Sequence, residues 1–523
     1  MKKWLRILLY ILLSLFVLAV IVAISADFYV ESKIKTMLQK DLPKHLRFTY
    51  DDLRIKSIHG SLIFEKPHLT ISNKEDHTEH TFILSEGLHI TNFSYWNYIF
   101  KDEIHLDEIR LEKPSLVFYK DRVIKAKDST STRTESFKQK VLLDRLNLSD
   151  GTFTIIDKEK DSVFLYLQNI SVQLNKISTS GEQVKHMLPF DFSDLQMAGD
   201  SLFIKAGTYE NLASGAFEIT KNSALINDIH FYTKYSVKTL NNIIPYERDH
   251  YDLSMSSLEI QDLKLITEQD SLTSAGAKKV ILGETDFQVY RDKTVKKDTT
   301  FKPLYNRSLR QLPFNLSVDS LIISGADIVY TERHLPENNG GIISFKNLEA
   351  KIANVGNTYE ENIDARIRAL FMDETPFTAQ WRLNVHSPED HFLFQAEVQR
   401  FNASNMDRFI GPNLDANLVG TAEHTYFTID GNNENSRTNV KIKYTDLKLN
   451  LLKKDSKKKK EILSAIVNLA IPKNSANQGA EFNDGAGTAE RHKTQSVFNQ
   501  LWISLESALK DAMLPGIVKK LAD

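Results

Sequence analysis

Hydrophobic positions fall into three textures along this chain. From Leu5 to Ile24 nearly every residue is apolar, with Arg6 at the leading edge and Ser14 the only polar residue inside. About twenty residues at ~1.5 Å rise give ~30 Å, the thickness of a hydrocarbon core, so the stretch predicts a membrane-spanning helix. Lys2, Lys3 and Arg6 precede it, while Asp27 and Glu31 follow. That asymmetry holds the first residues in the cytoplasm and sends the rest across. The rival reading is a signal peptide cleaved near Ser25 or Ala26. An h-region spans only ~7–15 residues, and a clean small-x-small site is missing here, so the anchor reads as uncleaved. Residues 27–44 carry Tyr29, Ile34, Met37 and Leu38 at helical spacing, a juxtamembrane helix that Pro43 ends.

The second texture is alternation. Short runs such as Leu116-Val117-Phe118, Phe153-Thr154-Ile155 and Ile328-Val329-Tyr330 are separated by Asp, Asn, Gly, Ser and Lys, which is the signature of strands. Apolar positions recur at i, i+2, i+7 and i+9. The first copy is Leu62, Phe64, Leu69 and Ile71 around Glu65-Lys66-Pro67; the second is Ile109, Leu111, Leu116 and Phe118 around Glu112-Lys113-Pro114. Further copies are Leu146/Leu148/Phe153/Ile155, Leu195/Met197/Leu202/Ile204, Val280/Leu282/Phe287/Val289 and Leu321/Ile323/Ile328/Tyr330. Side chains alternate faces along a strand, so i and i+2 share a face, and a tight turn or kink in the five-residue gap returns i+7 and i+9 to it. Pro67 and Pro114 lack an amide donor and mark strand starts, edges or bends.

The third texture is a closing helical stripe: Val497, Phe498, Leu501, Trp502, Leu505, Leu509 and Met513, stopped by Pro515-Gly516. It predicts a helix docked on the β domain, or one resting on a membrane or partner through Phe498 and Trp502. Residues 125–140 are polar and Ser/Thr-rich, 453–460 are a basic run, and 474–495 are Asn-, Gly- and Ala-rich and read as a mobile linker. The expected organisation is an anchor at 1–26, a juxtamembrane helix at 27–44, β-rich regions at 45–250 and 251–452, a linker at 453–495 and a helix at 496–523. The fold class is mainly β: a transmembrane helix, then an elongated, repetitive, curled antiparallel sheet with few helices to cover its apolar face.

Composition narrows the function. A net charge of -2 over 523 residues argues against a nucleic-acid binder. With no cysteine, disulfides, thiolate metal sites and cysteine nucleophiles are excluded. Phosphate loops, G-x-S-x-G elbows and H-E-x-x-H helices are missing, and no cofactor or enzymatic activity is expected. Asp76, His77, Glu79 and His80 offer loose ligand spacing but read as a solvated loop rather than a metal site, and Glu389, Asp390 and His391 after Pro388 read as a turn.

Together these features resemble the AsmA-like proteins of bacterial envelopes, in the superfamily that includes TamB-type and chorein-type bridge lipid-transfer proteins. The resemblance is carried by the order anchor, short helix, then strand Phe48–Leu53 leading to Ile58-His59-Gly60. It also rests on the strand pairs at 104–121, 142–157 and 312–332, followed by Ile343–Leu348 and Glu349–Ile352. The C-terminal Ser496–Trp502 is similar to members from Bacteroidota. The resemblance implies a single-pass inner-membrane anchor, a periplasmic sheet curled into an open groove, and a role in phospholipid movement or outer-membrane homeostasis. At ~0.8 kcal/mol per buried CH₂, an apolar track suffices to hold acyl chains, with no catalytic residue. The groove candidates are the first-copy and second-copy residues Leu62 to Ile71 and Ile109 to Phe118, with Leu146, Leu148, Leu321 and Ile323. A scaffold that binds other envelope proteins by strand addition, and a tethered enzyme with a site built from scattered residues, remain as alternatives.

Overall fold

The computed structural model describes residues 42, 44–56, 60–92, 94, 97, 100, 101, 103–124, 140–157, 162–179, 190–268, 271–414, 416–451, 475 and 481–513. The expected anchor, most of the juxtamembrane helix and the basic run lie outside these. Among the described residues no helix is long and apolar enough to cross a membrane. The chain divides into two compact units, one of Met1–Asp228 with Leu263–Thr273 and one of Ile229–Asp262 with Ser274–Asp523. The division thus falls at Asp228/Ile229 where the sequence reading put it at 250/251.

The first unit begins with β1 (Leu46–Thr49), β2 (Asp52–Lys56), β3 (Ser61–Glu65), β4 (His68–Ser72), β5 (Glu79–Leu84), β6 (Gly87–Thr91), β7 (Glu103–Glu112) and β8 (Ser115–Tyr119). The longer β9 (Lys140–Asp157) and β10 (Ser162–Thr179) follow. Then come β11 (Asp194–Gly199), β12 (Ser201–Ile204), β13 (Glu210–Ser214) and β14 (Phe217–Thr220), and β15 (Ser223–Thr233) carries the chain onward. Consecutive short strands act as halves of one bent strand. β3 pairs with β6 while its continuation β4 pairs with β5. Likewise β7 and β8 both lie alongside β9.

The bend explains the five-residue gap. Its odd length would throw i+7 and i+9 onto the opposite face of a regular strand. A residue in the left-handed region at i+4 corrects this: Lys66 (φ 44°), Lys113 (φ 45°), Asp150 (φ 52°) and, in the last copy, Gly325 (φ 76°). Pro67 and Pro114 sit just beyond, where a missing donor costs nothing; their carbonyls accept from Ser85 N (3.1 Å) and Thr152 N (2.8 Å).

The repeat copies therefore stack into rows. Leu62, Ile90, Ile109, Leu146, Leu174 and Leu195 are successive cross-strand neighbours. Leu69, Ile83, Leu116, Phe153, Leu167 and Leu202 form a second row. Most of these side chains pack into one buried core, with Phe64 fully covered and edge-on to Phe48 at 5.3 Å. Each buried Leu, Ile or Phe contributes about 1.5–3 kcal/mol.

The second unit contains α1 (Val237–Ile243) and β16 (Asp249–Gln261); β17 (Lys264–Glu268) belongs to the first unit. There follow β18 (Ser271–Leu282), which enters this unit at Ser274, β19 (Thr285–Asp292), α2 (Tyr305–Arg310), β20 (Asn315–Arg333), β21 (Gly341–Gly356), β22 (Ile363–Phe371), β23 (Thr375–Leu383), β24 (Phe392–Val398) and the short β25 (Phe401–Asn402). α3 (Asp407–Leu414), β26 (Ala416–Gly431), β27 (Asn435–Leu451), β28 (Asn483–Glu490) and α4 (Val497–Met513) complete it.

Two findings correct the sequence reading. The pairing is mixed rather than antiparallel throughout: β7 and β8 run parallel to β9, and β18 and β19 run parallel to β20. At both places two repeat copies lie side by side position for position. Ile109, Leu111, Leu116 and Phe118 meet Leu146, Leu148, Phe153 and Ile155. Val280, Leu282, Phe287 and Val289 meet Leu321, Ile323, Ile328 and Tyr330. Second, Asn483–Glu490 inside the expected linker is a strand on β27. Its glycines serve close packing, since a Cβ on Gly485 would lie 2.4 Å from the Ala508 carbonyl oxygen of α4.

Candidate ligand-binding surfaces

The first unit closes its apolar rows over β3–β10 and leaves Leu195, Met197, Leu202 and Ile204 on β11 and β12 half-buried. Leu62, Phe64, Leu69, Ile71, Ile109, Leu111, Leu116, Phe118 and Leu146 are all buried, Leu111 to 1% exposure, and Leu148 is half-buried. Protein atoms already cover these nine candidate groove residues, so they form a packed core rather than an open track.

The same rows in the second unit differ. Leu253, Phe287 and Ile328 are neighbours across β16, β19 and β20, followed by Phe345 on β21; Leu258, Leu282 and Ile323 form a parallel row. These side chains, and Leu321 beside them, are half-buried. Farther along, the apolar face of β22–β27 is covered. Val497, Ala508 and Ala512 of α4 pack there with Trp381, Phe394 and Ile442. Phe498 and Trp502 stay at the margin, 59% and 46% exposed, with rings 6.2 Å from Trp381 and 6.3 Å from Phe409.

The half-buried rows end in charge. Arg291 bonds Asp249 at 2.6 Å, Tyr251 Oη donates to Asp249 at 3.2 Å, and Tyr330 Oη donates to Glu332 at 2.6 Å. Burial and then the Asp249 carboxylate push the Tyr251 hydroxyl up to about 12. Burial and Glu332 raise Tyr330 likewise. Burial works against the Glu332 charge, but bonds from His334 and Tyr330 and the nearby Lys293 overcome it and leave the carboxyl below its usual range.

The metal-like spacing at 76–80 does not converge. Asp76 accepts from the Thr78 amide (3.0 Å) and hydroxyl, Glu79 pairs with Arg47 at 2.8 Å, and His80 Nδ1 bonds Thr81 Oγ1 at 2.8 Å. The structure instead brings together His105, Asp107 and Asp144, whose ligand atoms lie within 4.8 Å of one another, a set that would suit a divalent cation. Each is already engaged: His105 with Asp144 (3.0 Å) and Asn97 (3.1 Å), Asp107 with Asn92 (2.7 Å). Asp390 is more than a turn residue. Fully buried, it anchors α2 through Arg307 (2.9 Å) and Arg310 (2.6 Å).

On the face opposite the apolar rows, strands β20–β27 enclose a trough of about 1190 Å³, lined mainly by charged, amide and hydroxyl side chains. The sequence reading did not single it out; the alternating Arg366-Ile367-Arg368 and Gln380-Trp381-Arg382 are its traces in the chain.

No family model, curated protein or solved structure matches this chain.

Proposed function

We propose that this chain is a membrane-tethered envelope protein that holds phospholipid acyl chains along the apolar rows of its second unit and so serves lipid movement. The support is a contrast in burial. Rows of the same spacing are largely sealed across β3–β10 of the first unit, yet half-buried throughout on β16–β21 in the second, where they run into the Asp249–Arg291 and Tyr330–Glu332 cluster. An acyl chain gains ~0.8 kcal/mol per buried CH₂ on such a surface, and a charged headgroup finds ion-pairing and hydrogen-bonding side chains at its end. The tether is the apolar stretch Leu5–Ile24.

The test is lipid mass spectrometry on the full chain purified in detergent, beside Leu253→Asp and Phe287→Asp. The wild-type chain is expected to retain phospholipid, and both variants to lose most of it while melting within a few degrees of the parent. A wild-type chain free of lipid, or variants that keep it, would overturn the reading. A stoichiometric protein carried through purification in place of lipid would favour strand addition at a sheet edge.

A further inference from the structure

The trough on the other face of the second unit has its own chemistry. Cross-strand register aligns Lys351, Arg366, Gln380, Gln395, Thr428 and Asn439 in one lateral row. Glu349, Arg368, Thr378, Glu397, Tyr426 and Lys441 form the next. Six inter-strand steps of ~4.8 Å give a floor of roughly 29 Å from β20 to β27. Counting Arg382, five cations line the trough against two carboxylates, in a chain whose net charge is -2.

Donors outnumber acceptors there. Asp364, beside the rows, is shared by Arg366 (3.7 Å), Arg382 (3.8 Å) and two bonds from Gln380 Nε2 (2.9 and 2.8 Å). His424 occupies Glu397 at 2.7 Å. Arg368 and Lys351 have no ion pair or hydrogen-bond partner among the described residues, and Arg366 is 76% exposed. The Arg368 fork left without a carboxylate, beside Arg366 and Arg382 that share one, is complementary to an anionic, planar acceptor, and the amide and hydroxyl floor to a ligand rich in hydroxyls.

We propose that this trough binds an acidic oligosaccharide, with Arg366, Arg368 and Lys351 on its anionic groups and Gln380, Gln395 and Asn439 on its hydroxyls. The concavity turns away a flat bilayer. Tyr426 is the one aromatic side chain projecting from these rows, and it is stacked on His424 at 4.3 Å, whereas single-stranded nucleic acid calls for successive stacking platforms. Because the apolar rows lie on the opposite face, this site stands or falls apart from lipid binding.

Calorimetry on the full chain in detergent, with octagalacturonate, a neutral glucan of equal length and oligothymidylate, tests the assignment. Octagalacturonate should bind, more weakly as salt rises, and the double variant Arg366→Gln/Arg368→Gln should bind it at least roughly tenfold more weakly at an unchanged melting temperature. Lys351→Gln, on the same row, gives the same reading should the double variant melt early. No octagalacturonate heat, equal binding of the neutral glucan, tighter binding of oligothymidylate or undiminished binding by the variants would overturn it.

Discussion

Lys66, Lys113 and Asp150 occupy a backbone region that L-residues enter at a cost of ~1–2 kcal/mol, and each does so at a bend between the halves of a repeat copy. The compensation is local. Lys113 N donates to Ser149 O at 2.9 Å, and its Nζ reaches Glu86 at 3.1 Å, so the ladder continues through the bend. A β-branched residue tolerates this conformation worst and Asn among the best. Lys113→Val is therefore expected to lose about 1–2 kcal/mol in urea unfolding, while Lys113→Asn stays close to the parent. Loss from both variants alike would place the contribution in the Lys113 side chain rather than its φ. The bend itself was legible as E-K-P between alternating runs. What was not legible is that Asp150 and Gly325 do the same work inside continuous strands, because neither is flanked by proline. Asp390 was read as part of a turn for a similar reason: its partners Arg307 and Arg310 lie some eighty residues away in sequence.

The C-terminal helix shows how element-scale pattern and packing diverge. Of the apolar stripe Val497 is buried, but the rest of the covered line is Gln500, Ser504, Ala508 and Ala512, with Leu501, Leu505 and Leu509 half-buried on the flanks. Small side chains win the centre because α4 sits directly on β28, where Gly485 and Gly487 leave no room for a Cβ beneath Ala508. Ser504 Oγ reaches Ser436 Oγ at 2.6 Å, and Gln500 Nε2 donates to Asn432 O at 3.1 Å. The same close approach hid β28, since Gly and Ala alternation resembles a linker until its partner helix is known. Ala508→Leu is expected to overpack this contact and cost about 1–3 kcal/mol. Proteolysis should then cut between residues 481 and 513, where the parent resists. An Ala508→Leu chain as resistant as the parent would mean that α4 does not depend on the glycine contact; Phe498→Ser, at an exposed position, is the control expected to change little.

Across the whole chain, one spacing rule builds both units, and the outcome differs by what lies over the apolar rows. That the chain is mainly β, and that repeat copies share a face, was readable from alternation alone. Strand direction was not, because i, i+2, i+7, i+9 looks the same whether the next copy returns or crosses over, and the parallel crossovers depend on the connections before β9 and β20. Nor does sequence distinguish a sealed row from a half-open one, since Leu111 and Ile323 have equivalent places in their copies. The structure separates them: Leu111 is 1% exposed within a core, and Ile323 is half-buried in its row. Leu111→Asp would bury a carboxylate with no cation partner, a cost of several kcal/mol that should unfold the first unit. Ile323→Asp leaves its charge within reach of water and should cost far less. Thermal melts followed with hydrogen exchange over each unit would read the difference. Selective loss of protection across residues 61–119 in Leu111→Asp, with Ile323→Asp protected throughout, is the expected result. Equal unfolding by both would mean that the second unit's rows are sealed like those of the first, leaving no surface on them for an acyl chain.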